Sequence, residues 1–133
     1  MSNASERPPA LDPQLVRDFV IAAHSDREKV KAMLAEEPRL VNATIDWGGG
    51  DFESAIGGAA HTGGKAIAEH LLANGARMDL PVAVMLNKLE VVKAIIEAFP
   101  GAHKTPGAHG IPLSVHARQG GAEEVLAYLE SLD

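Results

Sequence analysis

The chain has no cysteine among its 133 residues, which excludes a disulfide framework and any thiolate-based metal site. Aromatic residues are scarce at 4%, with one Trp and one Tyr, so any core is built from aliphatic side chains and close-packed alanines. No stretch of about 18 residues is continuously apolar, which is the length a membrane-spanning helix needs. Basic charge is also in deficit. The formal net charge is −6, and the Lys and Arg residues are scattered among acids, as in Arg27-Glu28-Lys29-Val30-Lys31. Nucleic acid binding needs clustered cations, so a nucleic-acid partner is not expected, and the interleaving reads as solvated helix faces.

The first eleven residues are rich in Ser, Asn and Pro and lack the basic start and apolar stretch of a signal peptide. They read as a disordered tail, 1–11, ahead of one folded domain, 12–133. With no leader and no cysteine the expected setting is cytoplasmic, and the Asn3 and Asn42 glycosylation sequons are chance matches. An apolar content of 46% is enough for the core of a single domain of this length.

The most informative stretch is 54–79, S-A-I-G-G-A-A-H-T-G-G-K-A-I-A-E-H-L-L-A-N-G-A-R-M-D. It reads as a short small-residue helix, a glycine break, and an amphipathic helix whose stripe is Ile67, Ala68, Leu71 and Leu72. Asn74-Gly75 is a stop signal, because glycine accepts the left-handed conformation just past a last helical turn. The stretch resembles one repeat of the ankyrin family. Ser54, Ile56, Ala59, Ala60, Gly63, Ile67, Leu71, Leu72, Gly75 and Ala76 fall in the family's register without a gap. Asp79 stands where the family has Asn, and Gly57 where it has His.

A single repeat cannot bury its own apolar face, so recurrence decides the reading. Equivalent positions are Ala23, Ala60, Val84 and Ala117, at spacings of 37, 24 and 33 residues. Pro112-Leu113 matches the family's P-L dipeptide. Ankyrin repeats run about 33 residues, so the first interval is long and the second short. The extra material is 46–51, Asp-Trp-Gly-Gly-Gly-Asp, expected as an extended mobile finger loop. Asp79-Leu80-Pro81 leaves almost no finger before the third pair. The resemblance therefore implies an all-α solenoid of four helix pairs, with repeats near 14–46, 47–79, 80–106 and 107–133. Helices are expected at 14–24, 27–36, 55–62, 65–74, 82–86, 89–99, 112–119 and 122–131.

Catalytic motifs are not found. Gly63-Gly64-Lys65 lacks the first Gly and the Ser/Thr of a phosphate loop, and Gly48–Gly50 has Glu53 where a dinucleotide fingerprint needs Gly. No serine or histidine sits in a nucleophile setting. No catalytic, cofactor-binding or metal residue is assigned, and no cofactor is expected. His24 and His61 occupy the same register position in two repeats, which stacks them on one face. A two-histidine metal site is the alternative reading, with Asp51 or Glu53 on the acidic Gly-rich loop as the approaching third ligand. The other reading has both histidines bonding backbone carbonyls or water.

What the resemblance implies for function is a non-catalytic protein-interaction module of bacterial, cytoplasmic type, working through its concave face. Carried over by register, that face holds His24, His61, Thr62, Met85, Arg118 and Gln119, while the long finger adds Trp47 and Phe52 and the last finger His109. Met85 has a second reading as filler in the shortened repeat, and Trp47 as a lid on the core. The apolar last helix, with Val125, Leu126, Tyr128, Leu129 and Leu132, is a possible homodimer face, since an end repeat normally turns a polar side outward.

Overall fold

The computed structural model describes residues 7–133, and over these the chain is mostly helical. Helices come in four consecutive pairs: α1 Pro13–Ala22 with α2 Arg27–Glu36, α3 Ala55–Thr62 with α4 Lys65–Ala73, α5 Leu80–Met85 with α6 Leu89–Ala98, and α7 Leu113–Gln119 with α8 Glu123–Ser131. Their ends follow ordinary capping chemistry. Asp12, Asp26, Ser54 and Asp79 each accept a hydrogen bond from a first-turn N–H of α1, α2, α3 and α5, satisfying donors that a helix start leaves free. Gly63 closes α3 in the left-handed region. Residues 1–6 of the expected tail lie outside the described residues. Residues 7–11 form no helix or strand, but Leu11 packs against the core.

The long finger differs from expectation. It is an antiparallel hairpin, β1 Thr44–Asp46 with β2 Phe52–Ser54, pairing Ile45 with Glu53. Asp46 Oδ1 accepts from the N–H groups of Gly48 at 2.8 Å and Gly50 at 3.0 Å. Asp51 N–H donates back to the Gly48 carbonyl. Gly49 and Gly50 sit at φ +63° and +90°, a tight reversal that glycine makes without a steric penalty. The glycine run serves a closed turn held by Asp46.

Within each pair the two helices pack on each other, and α1, α3, α5 and α7 touch in series to form an inner row. Ala55, Ala59 and Ala60 are fully buried in α3, so neighbouring helices approach closely. The apolar core divides into a first cluster around Phe19, Leu40 and Leu71 and a second around Val92, Leu113 and Val125. Met85, expected on the working surface, is fully buried in the first cluster. The reason is local: α5 is only six residues long and is packed by α3, α6 and α7, which leaves no outward face. Most of the apolar side of α8 is likewise taken up internally. Val125 and Leu129 are buried, Leu126 and Tyr128 pack against the second cluster, and Leu132 is exposed.

One contact breaks a simple linear order. Because α5 is short and carries no finger, α7 reaches past it and packs on α3 as well. Gly63 makes this approach possible, since a Cβ there would collide with the Gln119 carbonyl, and Gly120 does the same for α7 on α5, where a Cβ would collide with the Met85 carbonyl. The segment before α7, with a 3₁₀ turn at Ala108–Gly110, is thereby laid against the hairpin and α3. No helix among the described residues is long and apolar enough to cross a membrane.

Candidate metal centre

Four side chains from four segments converge where the hairpin meets the inner row. His24 follows α1, Glu53 sits in β2, His61 lies in the last turn of α3, and His109 belongs to the 3₁₀ turn before α7. Each is delivered by a recognisable local cause. Successive strand residues face opposite sides, so Phe52 points outward at 66% exposure while Glu53 is 1% exposed. The His24 ring lies across Gly58, where an added Cβ would come within 2.6 Å of its Cε1. His109 sits at φ +62°, uncommon for a residue with a side chain, and its backbone N–H and Nδ1 both meet Asp51. Its N–H donates to Asp51 Oδ1 at 2.8 Å and its Nδ1 lies 2.6 Å from Oδ2.

All three imidazoles bring Nε2 close to Glu53, the one buried carboxylate among the described residues. Glu53 Oε1 is 3.0 Å from His24 Nε2, while Oε2 is 2.9 Å from His61 Nε2 and 3.2 Å from His109 Nε2. One ligand atom from each of the four residues falls within a set no wider than 4.8 Å. The rings radiate edge to face, His24 on His61 at 5.0 Å and His61 on His109 at 5.3 Å between centroids. Trp47 Nε1–H donates to Glu53 Oε1 at 2.8 Å. Its indole carries the Arg17 guanidinium over one face, 5.0 Å from the ring centroid.

The hydrogen-bond directions are the informative part. His24 Nδ1 lies 2.7 Å from the Val20 carbonyl oxygen, which can only accept, so Nδ1 carries the proton. His109 Nδ1 faces the Asp51 carboxylate and is protonated for the same reason. As neutral rings, both therefore aim bare Nε2 lone pairs at Glu53. His61 Nε2 and Glu53 Oε2 are close but misaligned, and both are buried without a hydrogen-bond partner. A carboxylate facing nitrogen lone pairs in a buried site costs free energy unless positive charge lies between them. Extra protons or a cation would supply that charge.

The protonation equilibria respond accordingly. Burial pushes the Glu53 carboxyl upward, but hydrogen bonding from His24 and Trp47 outweighs it and holds the group at about 2. The Glu53 carboxylate beside His24 raises that imidazole, and Asp51 does the same for His109. His61 is lowered, chiefly by burial. The backbone N–H and then the ring of His109 lower Asp51.

Of the residues carried over from the sequence, His24, His61 and Trp47 meet at this centre, with His24 bonding a backbone carbonyl as one reading had it. Trp47 is half-buried, packs on the first core cluster and braces Glu53. Phe52, Thr62, Arg118 and Gln119 are exposed and are not among the converging groups. Glu53 takes the place of the third ligand, and His109 completes the set. Compared with known proteins, the chain matches no family model and no curated sequence.

Proposed function

We propose that the protein binds a divalent first-row transition-metal ion, zinc fitting best, through His24, His61, His109 and Glu53. The observation that carries this is the convergence of three Nε2 atoms on a buried carboxylate, with His61 Nε2 and Glu53 Oε2 left without hydrogen-bond partners. A tetrahedral zinc with arms of about 2.0–2.1 Å has ligand atoms about 3.3 Å apart; Glu53 Oε2 stands 2.9 Å from His61 Nε2 and 3.2 Å from His109 Nε2, and one donor from each of the four residues lies within 4.8 Å of the others. Imidazole and carboxylate donors suit zinc, and thiolate-selected ions are disfavoured. The supporting groups are those a metal-ligating histidine uses: a carbonyl behind His24 and a carboxylate behind His109, each fixing tautomer and ring orientation. The scaffold in this proposal is an ankyrin-type helical stack, supported by the four helix pairs and the hairpin, and the setting is the bacterial cytoplasm. No catalytic step is assigned.

Calorimetric titration of zinc into chelator-treated protein tests the proposal, with metal analysis of the purified chain beside it. The expected result is one zinc per chain, lost in Glu53→Gln and in His61→Ala while the helical circular dichroism is kept. Absence of binding, or binding indifferent to both substitutions, defeats it. A second reading, a protein-interaction module, is favoured by Phe52, an exposed aromatic on the hairpin tip side of the same region. Its check is a pull-down in which Phe52→Ala, a change that spares the core, loses the recovered partner.

A further inference from the structure

The outer side of the same cluster faces an open cleft of about 490 Å³ lined by Ile21, His24, Ser25, Trp47, His61 and His109. All three imidazoles line this cleft, and Glu53, entering from the buried side, does not. A cation held by the four groups is therefore covered from behind and open in front. Resting on the metal reading above, we infer that the bound ion, held by four protein donors, expands to accept a fifth, exchangeable ligand facing the cleft, and that this position takes a small carboxylate with a short apolar tail.

Charge, surface and size select that class. A divalent ion with three neutral imidazoles and one carboxylate keeps one net positive charge, which a monoanion neutralises. Asp51 stands behind the far nitrogen of His109, away from the cleft mouth. Arg17 stacks over the Trp47 indole, one helical turn from Ile21 on the same face of α1, and adds a second cation near an incoming anion. The walls beyond the imidazoles are apolar: the indole of Trp47 and Ile21, itself 48% exposed. Ser25 supplies a lone hydroxyl. The volume lies within the range of small-molecule sites, about 300–1,000 Å³.

Cobalt(II) separates this inference from the one beneath it, because its visible absorption reports both uptake and a change of coordination. The chelator-treated protein is loaded with cobalt and titrated with acetate and then butyrate. The expected result is a shift of the cobalt bands by both anions. Two extra methylenes, about half buried, make butyrate about 4-fold tighter than acetate. Arg17→Ala weakens both anions by about 2- to 5-fold, the scale of an exposed charge, with cobalt uptake unchanged. Ile21→Ser removes the preference for butyrate. Protein that takes up no cobalt sinks the metal-site reading itself. Protein that takes up cobalt but shows no band shift with either anion keeps the metal site and overturns the open position. Shifts of equal affinity for acetate and butyrate, unaltered by Ile21→Ser, overturn the apolar-tail assignment.

Discussion

His24 and His116 are the same local device in two settings. In each, Nδ1 donates to the carbonyl four residues earlier, Val20 at 2.7 Å and Pro112 at 2.9 Å. In each, the ring lies where a glycine makes room: a Cβ at Gly58 would approach His24 Cε1 to 2.6 Å, and one at Gly107 would approach His116 Cε1 to 2.8 Å. The back-bond fixes the tautomer in both, leaving Nε2 free to accept. What differs is the partner ahead of Nε2. His24 faces Glu53 and two further imidazoles, whereas His116 is 1% exposed and makes no ion pair among the described residues. One ring belongs to a centre and the other to the packing, so the motif alone decides nothing. The third group that the fold brings up decides.

The sharpest way to break the comparison is to delete each ring. His24→Ala should weaken zinc binding by at least about 100-fold, beyond the 10–100-fold typical of losing an outer partner, as read by calorimetry. His116→Ala should leave zinc affinity within about 2-fold and instead lower stability by about 2–4 kcal/mol in urea unfolding, the cost of a buried cavity. Equal zinc affinities in the two variants would show that the distinction is mistaken.

Asp51→Asn is the next largest. It keeps the shape behind His109 but loses the negative charge that fixes its tautomer, and zinc affinity should fall by about 10–100-fold. The glycines come third. Gly58→Ala should displace the His24 ring and reduce zinc affinity by about 10-fold. Gly107→Ala should crowd His116 and cost about 1–3 kcal/mol of stability from overpacking with zinc affinity unchanged. Reversal of those two outcomes refutes the assignment of roles.

The smallest effect is in pH dependence, followed by melting temperature. Glu53 is held at about 2, so its support of the metal-free fold is present above the ordinary carboxylate value and lost as pH falls toward 2. His24 and His109 are raised above the ordinary 6.5. Their support is complete below 6.5 and lost as pH rises through the higher folded values. His61, lowered, acts in the opposite sense, losing stability as pH falls from 6.5. Metal-free protein should thus melt highest in mildly acidic solution. Zinc needs the imidazoles deprotonated, so the zinc-induced rise in melting temperature should grow from about pH 5.5 to about pH 8. His116→Ala should leave that growth intact, and a zinc effect independent of pH would contradict it.

The helices were legible because their signals are local. Asp12-Pro13 announces a start, Asn74-Gly75 a stop, and the apolar spacing of 67–72 fixes which face turns inward. The stacking of His24 on His61 followed from register alone. Glu53 was harder, since residues 46–51 read as loop; only as β2 does alternation turn Phe52 outward and Glu53 inward. His109 falls on the last finger, which nothing in the repeat spacing brings to the second pair. Nothing in the immediate sequence of His109 announces the meeting. It depends on the shortness of α5, whose effect appears only when α7 closes onto α3.

That closure has a consequence for how the chain can vary. Arrays of like units usually gain or lose a unit without harm, because each touches only its neighbours. Here the second and fourth pairs touch across the third, and His109 depends on that touch. An insertion lengthening the connection between α4 and α5 would satisfy every helix and still carry His109 away from Glu53. The molecule is not extensible in that way: its helix pairs cannot be counted up or down, and its length has become part of its proposed site.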